Sequence, residues 1–161
     1  MPQKTNAARL LDQWTFATNF VSTPWIPKIS RRKQSQSRSD SRRGQVFKTL
    51  VAHGDRHGIC MAVIPGDTEL SLKALAAASD NRKVHLVPVK DLQKLTGYVR
   101  GGVTALAAKR DYPLYADEKI GGFETISISA GIRGLQILLP SKDYLKVTRA
   151  YIAAIALSKN R

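Results

Sequence analysis

The chain has 161 residues, 43% of them apolar, which are the proportions of one soluble globular domain with its own core; its net charge of +14 calls for an anionic partner such as nucleic acid or a membrane surface. Cys60 is the only cysteine, which excludes an internal disulfide and any multi-cysteine zinc site and suits a reducing, cytoplasmic compartment. The longest apolar runs, residues 59–65 (ICMAVIP) and 150–157 (AYIAAIAL), are too short to cross a bilayer, and no charged start followed by an apolar stretch marks a leader.

Asn6–Gln13 (NAARLLDQ) combines good helix formers with a Thr5 or Asn6 cap and predicts a short first helix. Residues 14–29 hold both tryptophans and two prolines without a period of 2 or 3.6. Residues 30–43 (SRRKQSQSRSDSRR) contain no apolar side chain, and their composition predicts disorder. Residues 14–43 together carry seven basic side chains against Asp40. Beyond Gly44 the pattern becomes regular. Residues 45–53 (QVFKTLVAH) and 59–65 predict two antiparallel strands joined by the loop GDRHG. Residues 71–80 (SLKALAAASD) open on a capping serine and predict a helix, 83–87 a strand, and 89–95 (VKDLQKL), after Pro88, another helix. Residues 114–116, 125–129 and 135–139 are further strands between glycine turns. Residues 141–158 predict a long closing helix, with Asp143 in its first turn and Lys159 and Arg161 beyond its end, in line with the helix dipole. Hairpin strands with interspersed helices predict an α+β fold around one mixed, mostly antiparallel sheet.

Lys48 is the first candidate for chemistry. In an extended strand it shares a face with Val46, Leu50 and Ala52, while Phe47, Thr49 and Val51 form the other. Both faces are largely apolar. The lysine therefore either snorkels from a sheet edge, the commoner case, or points into a cleft where partial burial makes its ammonium a strong electrostatic group. The second candidate is the block from Thr96 to Thr104 (TGYVRGGVT). Its three glycines in six residues let the backbone approach a ligand and offer N–H groups to an anion or carbonyl oxygen, although a tight turn uses the same residues. The spacing fits neither the P-loop nor the dinucleotide fingerprint. The third block, Ser129-Ala130-Gly131-Ile132-Arg133-Gly134, reads alone as a hairpin loop. His53, His57 and His85 lack metal-binding spacing and suit packing or surface roles. Asp117 and Glu118, adjacent on a strand, face opposite sides and are expected to be solvated. Cys60 reads as a core residue without a base beside it. The chain shows no G-x-S-x-G elbow, so the usual equipment for side-chain nucleophilic or metal catalysis is missing, and no cofactor is implied.

Taken together, Gln45-Val46-Phe47-Lys48-Thr49-Leu50, Thr96-Gly97-Tyr98 with Gly101-Gly102, and Ser129-Ala130-Gly131-Ile132-Arg133-Gly134-Leu135 resemble the YbaK/EbsC family. Its best-known members are Cys-tRNA(Pro) deacylases, relatives of the editing domain inserted in bacterial prolyl-tRNA synthetases. The resemblance covers about residue 44 to the C-terminus plus the first helix. It implies a barrel-like mixed sheet with flanking helices and a pocket for the aminoacylated 3′ end of a tRNA. It makes Lys48 the functional lysine, able to hold the terminal phosphate or ester region. It places Gly101 and Gly102 where backbone amides face the aminoacyl carbonyl, and Ser129 in the pocket. Thr104, Gly131 and Gln136 complete the implied substrate-binding set. An aminoacyl ester is already activated, so the substrate supplies the nucleophile: a water positioned by the terminal ribose, or the cysteine's own thiol, which would make the enzyme a lyase instead of a hydrolase.

The chain also departs from that pattern. Ala105 occupies the place of a proline in the family's glycine loop, which implies a less rigid loop, and Gln136 stands where some members carry Asp. No tyrosine precedes Tyr98, and residues 14–43 do not resemble the family's first strand. Three readings of that tract compete: a tRNA-binding basic arm, a disordered insertion, and, placed first, a stretch of altered reading frame, because Leu10-Leu11 and Lys48 keep the family's separation. The missing strand predicts weak deacylation. The expectation is a single domain that removes cysteine mischarged on tRNA(Pro), acting in trans beside prolyl-tRNA synthetase. The alternatives are an Ala-tRNA(Pro) deacylase and a non-catalytic tRNA- or synthetase-binding module.

Overall fold

A computed structural model describes residues 6–13, 19–22 and 45–158. The basic tract, with the expectations of disorder and of an altered frame, lies outside the described residues apart from the strand at 19–22. In chain order the elements begin α1 (Asn6–Gln13), β1 (Asn19–Ser22), β2 (Phe47–Gly54), β3 (Gly58–Pro65), β4 (Thr68–Leu70), α2 (Leu72–Ala78) and β5 (Val84–Leu86). They continue α3 (Val89–Thr96), β6 (Leu114–Asp117), a 3-10 turn (Glu118–Gly122), β7 (Thr125–Ser129), β8 (Leu135–Pro140), α4 (Ser141–Thr148), β9 (Tyr151–Ala153) and β10 (Ala156–Ser158).

The β2–β3 hairpin is the centre of the fold. Its ladder runs from the Phe47–Pro65 pair to the Gly54–Gly58 pair, so the connection is shorter than the five residues expected. The Asn81 side-chain oxygen closes it by accepting the Arg56 and His57 N–H groups at 2.9 Å each. A five-stranded sheet of order β5-β2-β3-β6-β9 grows around the hairpin, with β6 parallel to β3 and β9 parallel to β6. A three-stranded antiparallel sheet, β1-β8-β7, meets it through a parallel bridge between Val46 and Ser127. β4 and β10 form a third, two-stranded sheet.

Both faces of the hairpin are buried, which is why residues 59–65 read as a continuous apolar run instead of an alternating one. One face (Phe47, Val51, Met61, Val63) packs on Ile126, Ile128, Ile137, Leu139 and Tyr144. The other (Ala52, Cys60, Ala62, Ile64) packs on Leu75 and Ala76 of α2 and on Ile155. Ser71 caps α2, its hydroxyl oxygen accepting the Ala74 N–H at 3.1 Å.

Three expectations need correction. Among the described residues no sheet closes on itself, so the barrel-like part of the expectation is not borne out, and the two larger sheets meet at one bridge. The long closing helix stops at Thr148, where Arg149 takes a left-handed conformation (φ 56°), and the apolar run after it supplies β9 and β10. A short apolar run with β-branched residues fits either state by pattern alone, and here open edges on β6 and β4 decide it. Finally, a strand does form within residues 14–29. β1 pairs antiparallel with β8, Asn19 opposite Leu138 and Ser22 opposite Leu135.

Candidate active site

The strand β2 changes neighbour along one edge. At its start Ser127 of β7 joins it, the Ser127 N–H donating to Gln45 O at 2.9 Å; from Ala52 onward β5 takes over, preceded by the Val87 N–H donating to Val51 O at 3.0 Å. Between the two partners Lys48, Thr49 and Leu50 border a cleft of about 450 Å³. Leu86 and Val87 of the β5 end, with Val89 and Leu92 of α3, form its apolar side. Arg100, Gly101 and Val103 close it from the glycine loop, and Ser129 of β7 and Gln136 of β8 from the second sheet. Lys48 is half-buried there and shares its strand face with Leu50 and Ala52. The described lining residues thus include two cations and no carboxylate. That field favours an anionic ligand end.

The glycine loop is held by two clamps. Gly97, in the left-handed conformation, ends α3 and turns the chain out of it. The Gly102 N–H donates to Val99 O at 2.9 Å, which makes a tight turn of residues 99–102. The Arg133 guanidinium donates to Arg100 O at 2.9 and 3.3 Å and locks the loop against residues 129–134. The packing at Gly102 is tight, since a Cβ there would stand 3.1 Å from Gly131 O and 3.2 Å from Arg133 N, and the 129–134 backbone would have to give way by a few tenths of an ångström. Across the cleft wall the Ser129 hydroxyl oxygen accepts the Gly131 N–H at 3.1 Å, and the Ser127 hydroxyl donates to the Gln136 side-chain oxygen at 2.9 Å. Beneath Thr49 lies Tyr144, fully buried, whose hydroxyl completes no hydrogen bond. Burial pushes its pKa well up, an effect the nearby Thr49 side chain offsets only in part.

Of the residues singled out by sequence, Lys48, Gly101, Ser129 and Gln136 border one cleft. Gly102, Thr104 and Gly131 stand behind it: the Gly102 amide is spent within its own turn, Thr104 is wholly buried with its hydroxyl oxygen accepting the Leu106 N–H, and Gly131 backs onto Tyr98. Arg100 and Thr49 were not singled out, yet both line the cleft. The signal for each was present, since Arg100 lies inside the glycine block and Thr49 beside Lys48. Among the described residues no group of three or more His, Cys, Asp or Glu side chains gathers to hold a metal ion. No described helix is long and apolar enough to cross a membrane.

Comparison with known proteins fits this geometry. The chain is 38% identical over 153 residues to EbsC of Enterococcus faecalis, named as a candidate Cys-tRNA(Pro)/Cys-tRNA(Cys) deacylase, with 95% of this chain and 93% of EbsC covered. It is 26% identical over 110 residues to the multifunctional Ser/Thr-tRNA deacylase ProXp-y of Escherichia coli K12, covering 66% of each. Among solved structures, a candidate trans-editing enzyme for prolyl-tRNA synthetase superposes with a TM-score of 0.76 at 21% identity, covering 94% of this chain and 98% of that one, which shows the shared fold. Residues 31–147 match the aminoacyl-tRNA editing domain, a match that begins inside the basic tract and takes in the whole described cleft lining, and the chain therefore belongs to that family.

Proposed function

We propose that this chain is a trans-acting deacylase that removes cysteine mischarged on tRNA(Pro), working beside prolyl-tRNA synthetase. The observation that carries the reading is the cleft itself, whose described lining includes Lys48 and Arg100 and no carboxylate, with Gly101 bordering the same space. The two cations hold the phosphate next to the terminal ribose, a charge-assisted contact that positions the ester. The Gly101 N–H, unlike that of Gly102, is not used within the loop turn and is the amide suited to the oxygen of the scissile carbonyl as negative charge develops on it. A water held by the terminal ribose adds to the carbonyl carbon, the bond to the ribose oxygen breaks, and that oxygen leaves with the proton. No side-chain nucleophile is needed, because the ester is activated from the start. Leu86, Val87 and Leu92 give the ester an apolar wall on one side.

The test is deacylation of tRNA(Pro) charged in turn with cysteine, alanine and proline, with Ser- and Thr-charged tRNA as further arms. Cysteine is expected to be released fastest. Lys48→Ala is expected to slow release at least tenfold, a loss of about 1.4 kcal/mol of transition-state stabilisation. Equal rates for the two proteins would reject the role given to Lys48, and faster release of alanine would move the substrate to Ala-tRNA(Pro). Tight tRNA binding with no release from any arm would make the chain a binding module.

A further inference from the structure

Tyr98 lies outside the cleft lining, yet it touches three segments that meet behind it. Its hydroxyl donates to Leu106 O at 2.6 Å and stands 3.2 Å from Ala107 O. Burial pushes its pKa up, farther from neutral pH than that of an ordinary phenol. Its backbone N–H donates to the Thr96 hydroxyl oxygen at 3.0 Å, which fastens it to the end of α3. Its ring presses on Gly131, where a Cβ would stand 2.8 Å from the ring edge. Gly131 takes its φ of +100° without steric cost. Ala107 shows that these contacts work under load: it holds a φ of +54°, a left-handed conformation that costs an alanine about 1–2 kcal/mol. Such a conformation persists where the surroundings impose it, and here the groups imposing it include the Tyr98 hydroxyl. Gly101 lies three residues beyond Tyr98. On its other side Arg133 fills the space that a Cβ would need, its Nε 2.9 Å from that point.

We propose that Tyr98 is a positioning residue of the deacylation site: by tying residues 106–107 and the 129–134 loop to the glycine loop, it sets where the Gly101 N–H stands in the cleft. The proposal deepens the deacylase reading and rests on it for the chemistry. Tyr98 itself does not touch the substrate. A displaced amide is felt in the transition state more than in the ground state, so its loss acts on kcat and leaves KM nearly unchanged.

The test uses the full chain in four forms: wild type, Tyr98→Phe, Ala107→Gly and the double variant. Phenylalanine keeps the ring against Gly131 and removes only the hydroxyl. Tyr98→Phe is expected to lower kcat for Cys-tRNA(Pro) by roughly tenfold to a hundredfold, the scale of a misplaced catalytic contact, with KM within about twofold. Glycine adopts the left-handed conformation at 107 without strain, so Ala107→Gly alone is expected to leave activity unchanged and, in the double variant, to restore most of the lost kcat. Backbone hydrogen exchange is expected to rise at residues 101–108 in Tyr98→Phe and to stay unchanged in the β2–β3 hairpin. A Tyr98→Phe protein with wild-type kcat and exchange overturns the proposal and leaves the deacylase reading standing. A loss of kcat that Ala107→Gly fails to restore, with exchange raised throughout the molecule, also overturns it, as general destabilisation. If the wild type releases no amino acid, the deacylase reading fails, and unchanged exchange at residues 101–108 would then refute the brace on its own.

Discussion

Asp117 makes a demanding test of how the chain's end is held. It is 2% exposed and ends β6, and among the described residues its carboxylate meets backbone amides: Oδ1 accepts the N–H groups of Ile155 and Ala156 at 3.0 and 2.9 Å, and Oδ2 accepts that of Lys119 at 3.0 Å. One side chain therefore fastens both the start of the 3-10 turn and the bend between β9 and β10. Asp117→Ala leaves three amides without their acceptor, one of them on the fully buried Ile155. Hydrogen bonds to a charged group contribute about 1.5–3 kcal/mol each, and water reaching the more open amides returns part of that, so a net loss of about 3–5 kcal/mol is expected. Against a total of about 5–15 kcal/mol for a domain, that is a large fraction. Asp117→Asn keeps one oxygen and is expected to lose about half as much. Urea unfolding followed by circular dichroism measures both, with the midpoint shifting and the slope unchanged. A loss below about 1 kcal/mol for Asp117→Ala would refute the assignment, because amides so easily satisfied elsewhere do not depend on this carboxylate.

Other consequences follow from single residues. Burial raises the Cys60 pKa, so the folded protein is expected to react with a maleimide far more slowly than the urea-unfolded chain, and equal rates would place the thiol at the surface. The Asp55 carboxylate sits below its ordinary range, first through the Lys83 N–H and then that of Arg82, so its contribution is present above the unfolded value near ~3.9 and is lost as pH falls through the lower folded value. Asp55→Asn should therefore lose less stability between pH 6 and pH 3 than the wild type, and parallel curves would contradict this. Gly102→Ala forces a Cβ against the backbone of Gly131 and Arg133 and is expected to cost about 1–3 kcal/mol, readable as a fall in the thermal midpoint.

Local chemistry was readable in the sequence wherever it acts over a few residues. The Ser71 cap, the glycine ends of the β2–β3 hairpin and the left-handed Gly97 all stand where neighbouring residues require them. The strand pattern around Lys48 gave it a face, and only the family resemblance of the three blocks gave it a role. Whether it met solvent or a cleft depended on β7 and β5 stopping short of each other along β2, which is a property of strand order. Asp117 was expected to be solvated because its partners lie 38 and 39 residues later, beyond any local pattern. The same distance effect hid β1, whose pairing is set by the edge of β8, and β9, whose apolar run looked like more of α4.

The interrupted edge of β2 has one more effect. Successive residues of a strand turn their peptide groups to alternate sides, and Val51 O points toward β5. The odd-numbered positions therefore face the interruption, and between Phe47 and Val51 that position is Thr49. Its N–H and C=O are directed at the ligand space by the backbone alone. A molecule entering there meets a peptide unit as well as side chains, and that part of the surface is the same for any residue at position 49 except proline, which lacks the N–H. Mutation can reshape the rest of the wall, while this one pair of donor and acceptor stays in place for as long as the hairpin is folded.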